Sequence, residues 1–158
     1  MDIGFLPPYT GPVILPGTYT VDTLPTASTD NLGSYARVSD LFGSKTDLLL
    51  CSMAGGSYFW QPVRPFWPGS MSANQNATLL PLKTPSIIRL DNTLTANRTL
   101  TLSPALAWPG CQFEIQMTGT LNLFSLTIAG LALGATLSIL LGGTRRVYFD
   151  GSAYQAFG

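Results

Sequence analysis

Residues 112–118 read QFEIQMT, in which polar and apolar side chains alternate at every step. In an extended chain, Phe113, Ile115 and Met117 fall on one face, and the polar residues fall on the other. An α-helix would instead place Ile115 on the side opposite Phe113 and Met117. The stretch therefore predicts a half-buried β-strand, with one face in a core and the other facing outward.

The same kind of pattern extends in both directions from this strand. Residues 98–103 and 34–40 also alternate, and a turn at Gly55-Gly56 joins apolar runs at 47–53 and 58–63, which is typical of a hairpin. No amphipathic helix with capping residues is apparent. We therefore expect an all-β protein, an antiparallel β-sandwich or jelly-roll-like domain with a smaller β module and an extended N-terminal arm.

Proline, glycine and polar residues divide the chain into four predicted segments. Residues 1–17 form the extended arm, and residues 18–65 form the small β module. Residues 66–85, which are rich in proline and polar side chains, are predicted to be a linker or long loop. Residues 86–158 form the β-sandwich module.

The N-terminal arm combines four prolines and three glycines with large apolar side chains. The prolines and glycines exclude a regular helix or a central strand. The apolar residues predict contact with protein, either with the arm's own domain or with a neighbouring subunit, and both alternatives stay open. The candidate interface residues of the arm are Phe5, Leu6, Tyr9, Val13, Ile14 and Leu15.

Residues 121–141 carry no charge over a length that a transmembrane helix would need. However, their polar residues recur at intervals compatible with strands, and Gly130 and Gly134 stand where a hairpin needs its turn. We expect two buried strands and no membrane association. A membrane span remains the less favoured alternative.

The composition argues for burial against partners. The chain has only 10% charged residues, against roughly 25% in ordinary soluble domains, with zero net charge and 46% hydrophobic residues. Either partners cover much of the surface, which we favour, or Ser, Thr, Asn and Gln coat it. Zero net charge also argues against nucleic acid as a partner, because phosphate binding needs a basic surface.

The residue inventory predicts no catalytic, cofactor or metal site. There is no histidine, which excludes the common nucleophile–histidine systems and most zinc sites. Glu114 is the single glutamate, and we expect it to be an exposed strand carboxylate. Cys51 and Cys111 lie far apart, and we expect both thiols to be free and buried.

Aromatic residues are the remaining candidates for recognition. Trp60, Phe66 and Trp67 are predicted to lie at an interface. Stacking on a carbohydrate is the other role open to exposed aromatic rings. The candidates for that role are Trp60, Phe66, Trp67, Trp108 and Tyr154.

Three stretches of the first module resemble a module that recurs in virion proteins of tailed bacteriophages. They are VDTLPTAS at 21–28, ARVSD at 36–40 and GSYFW at 56–60. That module opens with a V-x-x-L-P-S-A-S-like strand and ends in D-G-[ST]-x-W. Here Gly55 replaces the usual Asp, and Trp60 comes one place late. Residues 94–102 and 148–154, with Pro109-Gly110, are similar to β-sandwich segments of such proteins.

This resemblance covers most of residues 18–158 and implies a non-enzymatic, often trimeric virion component assembled in the host cytoplasm. We expect a capsid-decorating (cement) protein that packs on the major capsid protein or other virion proteins. A tail-fibre or tail-tip component is the alternative within the virion. A carbohydrate-binding module is the alternative from another class.

Overall fold

The fold is all-β, as predicted, in a computed structural model that describes residues 12–139 and 143–157. Short 3-10 helices occur at Val21–Thr23, Thr29–Asn31 and Ala132–Gly134. The strands within the described residues are β1 Tyr35–Leu41, β2 Lys45–Ala54, β3 Ser57–Pro62, β4 Pro68–Ser72, β5 Ala77–Leu79, β6 Ile87–Asp91, β7 Arg98–Leu102, β8 Gln112–Met117, β9 Leu126–Ala129, β10 Leu137–Ile139, β11 Thr144–Phe149 and β12 Tyr154–Ala156.

Strands β1, β2 and β3 form an antiparallel three-stranded sheet. The predicted hairpin is confirmed, because Ala54 pairs with Ser57 across a two-residue turn. Gly55 and Gly56 occupy that turn with φ of 57° and 80°. Two consecutive positive φ angles match the right-handed twist of the strands and strongly favour glycine.

The rest of the chain winds between two larger sheets. Strands β4, β6 and β8 lie parallel in a five-stranded sheet of order β12-β11-β8-β6-β4. Strands β5, β7 and β9 lie parallel in a four-stranded sheet of order β10-β9-β7-β5. Each strand from β4 to β9 thus crosses to the opposite sheet, so neighbours in a sheet run in the same direction. Strands β10, β11 and β12 add antiparallel pairs, and both large sheets are therefore mixed.

The uncharged stretch at 121–141 contains a β-hairpin in its described part. Strands β9 and β10 pair antiparallel, and Gly130 and Gly134 lie in the connection between them. Gly130 has φ of 89°, and a β-carbon there would collide with the Leu102 carbonyl oxygen. The predicted turn is confirmed, and the membrane helix is wrong for residues 121–139. No helix among the described residues is long and apolar enough to span a membrane.

One continuous hydrophobic core joins all three sheets. Strand β8, which contains the alternating sequence at 112–117, contributes Phe113, Ile115 and Met117 to this core. All three are buried, as predicted. Cys51 and Cys111 are also buried, and neither forms a disulfide, as expected. Burial of this kind supplies most of the free energy that holds such a fold together.

The structure corrects two predictions about connecting segments. Residues 66–85 are not a simple linker, because they contain β4 and β5, which are the edge strands of the two large sheets. The strand that the virion resemblance implied near residue 21 is instead a 3-10 helix at Val21–Thr23. Both errors concern short elements whose conformation depends on distant neighbours rather than on local pattern.

The end of the N-terminal arm lies along its own domain. The Val13 carbonyl oxygen accepts a hydrogen bond from the Tyr35 amide, and the Leu15 amide donates one to the Tyr35 carbonyl oxygen. Leu15 packs against the core, whereas the side chains of Val13 and Ile14 remain exposed. The predicted interface residues Phe5, Leu6 and Tyr9 lie outside the described residues.

Candidate binding groove and assembly face

The outward face of the five-stranded sheet forms a groove, here called the outer groove. Buried residues alternate with outward-facing ones along β8 and β11. The strand register places Ile87, Glu114 and Arg146 side by side, and the Phe157 amide bonds to the Arg146 carbonyl oxygen. The groove encloses about 940 Å³ and is lined mainly by Phe66, Gln112, Glu114, Arg145, Arg146 and Phe157.

Glu114 organises the polar centre of the outer groove. Its Oε1 accepts a hydrogen bond from Gln116 Nε2 at 2.6 Å, and its Oε2 accepts one from Arg146 Nε at 2.7 Å. The hydrogen bond from Gln116 and the positive charge of Arg146 lower the pKa of Glu114, which is therefore ionised at neutral pH. The side-chain amide of Gln112 has no hydrogen-bond partner among the described residues. Its two N–H donors and its carbonyl acceptor therefore remain available to a ligand.

Two exposed phenylalanine rings bound the polar centre. Phe66 is 60% exposed and precedes the edge strand β4, and Phe157 is 48% exposed at the opposite edge. Phe157 also packs against Tyr148, with 4.9 Å between ring centroids. The sequence identified Phe66 as a candidate but missed Phe157, Gln112 and Arg146, because polar residues on an outward strand face look like ordinary solvent-exposed positions.

The structure places the other aromatic candidates away from solvent. Trp60 is a core residue, only 7% exposed, and its Nε1 donates a hydrogen bond to the Pro25 carbonyl oxygen at 2.7 Å. Trp108 and Tyr154 are also buried. These three rings therefore have no face free to stack on a ligand in this conformation. Of the residues proposed to stack on a carbohydrate, only Phe66 and the partly exposed Trp67 keep a ring that a ligand could reach.

Trp67 occupies a mixed environment near the start of β4. Its ring packs against Phe42 at 6.1 Å between centroids. Arg64 and Lys45 approach the same ring at 5.5 Å and 6.0 Å from its centroid. Two cations this close to an indole make favourable contacts with its π-electrons. The buried Trp67 Nε1 has no hydrogen-bond partner among the described residues.

A second, more apolar groove runs beside the β2–β3 hairpin. It consists of two adjoining depressions of about 340 Å³ and 610 Å³, which share Tyr58, Phe59 and Ala107. The hairpin turn at Gly55 and the turn at Gly151 both border the larger depression. The structure thus brings together two turns that are far apart in sequence.

The outward face of the three-stranded sheet carries a row of apolar side chains, with Arg37 beside Leu48 and Gln61 beside Leu50, and we call it the assembly face. Leu48 and Leu50 lie on this face, because they alternate with the buried Leu49 and Cys51 along β2. The register places Tyr35 beside Leu50, and Ile14 beside Tyr35. Ile14 is 60% exposed, and Val63, whose amide bonds to the Leu48 carbonyl oxygen, is 50% exposed. Strands that are apolar on both faces are typical of sheets buried on both sides.

Comparison with known proteins yields little similarity. No protein-family model matches the chain, and no curated protein matches it. One solved structure, described as "Structure of a chaperone-substrate complex", aligns with a TM-score of 0.42 and 10% sequence identity. The alignment covers 88% of this chain and 30% of that one, so this chain spans less than a third of its length. Similarity at this level assigns neither a family nor a function.

Proposed function

We propose that this protein is a non-enzymatic structural component of a bacteriophage virion, and more specifically a capsid-decorating protein. It assembles by burying the assembly face against sister subunits and the major capsid protein. A trimer is the proposed oligomer. The proposal rests on the assembly face together with the resemblance of residues 18–60 to virion modules.

The observation with the greatest weight is the apolar character of β2 on both faces. Leu49 and Cys51 fill the core, while Leu48 and Leu50 point outward with only partial burial. Contiguous exposed apolar surface is uncommon on monomers and marks interaction sites. Full burial of an exposed side chain of this size contributes about 1.5–3 kcal/mol. Ile14 and Val63 are half exposed or more and would gain part of this value, and the already half-buried Leu48 and Leu50 would gain less. Contacts of this size are sufficient to hold subunits together.

The low charge of the chain supports the same proposal. With 8 basic and 8 acidic residues in 158, long-range electrostatic attraction contributes little to docking. Interfaces of permanent assemblies are large and hydrophobic, which suits such a surface. A tail-fibre or tail-tip subunit would use the same face, so location on the particle is a separate question.

The test compares Leu50→Asp with Thr101→Asp. Thr101 is an exposed residue of β7 outside the assembly face, so its substitution adds the same charge to a different surface. We expect the wild type and Thr101→Asp to sediment as the same oligomer at micromolar concentration. Leu50→Asp should sediment as a folded monomer, because a charge at the centre of an apolar interface is desolvated without a partner.

Location is tested by adding labelled protein to particles that lack it and imaging the complexes by electron microscopy. Label on the head would support capsid decoration, and label on the tail would support the alternative. A stable monomer in the wild type, with no binding to particles, would overturn the proposal of a structural subunit.

A further inference from the structure

We propose that the outer groove binds an acidic oligosaccharide. This inference is independent of the virion assignment, because it rests on the side chains that line the groove. They comprise exposed aromatic rings at both ends and planar hydrogen-bonding groups between them.

The positions of the rings suit a ligand several sugar units long. Phe66 and Phe157 lie at opposite edges of the five-stranded sheet, four strand spacings apart, or roughly 19 Å between strand axes. The two side chains extend toward the groove that both of them line, which shortens this gap. A pyranose ring presents a face of C–H groups that packs on an aromatic ring. The groove therefore offers stacking positions at both ends of a short saccharide.

The centre of the groove suits hydroxyl groups. The Gln112 amide and the Arg146 guanidinium are planar groups that can form paired hydrogen bonds with neighbouring hydroxyls. Arg146 uses its Nε for Glu114, while its terminal nitrogens have no partner among the described residues. The bond from Glu114 holds the guanidinium in place and reduces the entropy that binding would otherwise cost.

The charge of the lining favours an acidic ligand. Arg146 is paired with Glu114 in the groove, whereas Arg145 alternates with it along β11 and borders the groove with its guanidinium bonded to the Ser138 and Thr144 carbonyl oxygens. With two arginines and one glutamate, the residues around the groove have a net charge of +1. Glu114 neutralises only one of the two guanidinium groups. A carboxylate on the sugar would accept a paired hydrogen bond from arginine, an arrangement that is both strong and directional. Uronic and sialic acids carry such a carboxylate.

The experiment measures binding to immobilised carboxylated oligosaccharides, with neutral glucose and galactose oligomers and a poly-glutamate peptide as comparison probes. We expect the wild type to prefer the carboxylated oligosaccharides. Phe66→Ala should weaken that binding about tenfold, which corresponds to the loss of one aromatic contact. Arg146→Gln should abolish the preference for acidic over neutral sugars.

Phe124→Ala is the matched control, since Phe124 is also partly exposed but does not line the groove. Its binding should equal that of the wild type. Thermal unfolding of each variant verifies that the protein is folded. No binding of the wild type to any sugar would overturn the proposal. So would equal binding of neutral and acidic sugars, equal binding of poly-glutamate, or unchanged binding in Phe66→Ala.

Discussion

Trp60 Nε1 donates a hydrogen bond to the Pro25 carbonyl oxygen at 2.7 Å, and thereby ties strand β3 to the segment that precedes β1. The two residues are 35 positions apart, so this contact fixes a long loop against the core. The sequence predicted that Trp60 lies at an interface. In the structure its side chain is buried and attaches the three-stranded sheet to the segment around Pro25.

We predict that Trp60→Phe is more destabilising than Trp67→Phe. Both changes shorten an aromatic side chain, but only the first removes a hydrogen bond and leaves the Pro25 carbonyl without its partner. The difference in free energy of unfolding should be about 1–3 kcal/mol. Urea denaturation of both variants measures it. Equal losses of stability would show that the Trp60 hydrogen bond contributes nothing.

We predict that Ile128→Asp destabilises the protein by about 3–5 kcal/mol, because it places an unpaired carboxylate in the core. Ile128 is completely buried in β9, whereas Thr127 points to the opposite face of the same strand. Thr127→Asp is therefore the matched control and should cost much less. Chemical denaturation measures both variants, and similar costs would contradict the observed orientation of β9.

We predict that stability decreases above about pH 9. Burial raises the pKa of Cys111 to about 12 and also raises that of Tyr154, so both groups stay protonated in the folded protein. The unfolded chain loses these protons first, starting near the ordinary cysteine value of 9.0. The free energy of unfolding should therefore fall between pH 9 and pH 12.

Cys111→Ala should reduce this alkaline dependence without abolishing it, because Tyr154 still contributes, as measured by urea denaturation under reducing conditions at several pH values. In the wild-type protein, both thiols should react with Ellman's reagent only after denaturation, because Cys51 and Cys111 are buried. Rapid reaction of two thiols in the native state would show that the core opens readily.

We predict that Asp150 stabilises the β11–β12 turn in its ionised form. Its carboxylate accepts hydrogen bonds from the Ser152 and Ala153 amides and from the Gln155 side chain. These bonds, chiefly the one from Ala153, hold its pKa well below the ordinary value of 3.8. The stabilisation is thus complete above pH 3.8 and is lost as the pH falls toward the lower, folded-state pKa.

Asp150→Asn should therefore lower the melting temperature at pH 7, and the difference from the wild type should shrink below about pH 4. Asp30→Asn is the control, because the exposed Asp30 side chain accepts no hydrogen bond among the described residues. A difference that persists unchanged at pH 2 would mean that the carboxylate charge is not responsible.

We predict different effects from two deletions of the N-terminal arm. Removing residues 1–11 should leave the melting temperature unchanged but weaken oligomerisation or attachment to particles. Removing residues 1–16 should also lower the melting temperature, because it eliminates the backbone hydrogen bonds of Val13 and Leu15 with Tyr35. If the shorter deletion changes neither oligomerisation nor attachment to particles, residues 1–11 have no role in assembly.

The local parts of the fold were predictable from sequence. Strict alternation identified β8, and a Gly-Gly pair between apolar runs identified the β2–β3 turn. In each case the sequence signal lies within a few neighbouring residues, even though the strands that pair with β8 are distant in sequence. The buried thiols also followed from composition, because isolated cysteines are among the most buried residues.

The non-local parts were not predictable. Strands β4 and β5 are short and include Pro68 and Gly69, so they look like a loop until their parallel partners are known. Similarly, the outer groove unites Phe66 with Phe157, which are 91 positions apart. No local pattern distinguishes such residues from an ordinary polar surface. Their proximity depends on the strand order of the five-stranded sheet.

The winding of β4 to β9 between two sheets has a consequence for how the protein folds. Neither β4 and β6 nor β5 and β7 can pair until the strand between them in sequence has crossed to the other sheet. The chain must therefore close several long loops before most strand pairs form, and such topologies have high contact order and fold slowly. Until the winding is complete, the edges of nascent strands stay exposed, so the newly made chain is most prone to aggregate before its last strands emerge from the ribosome.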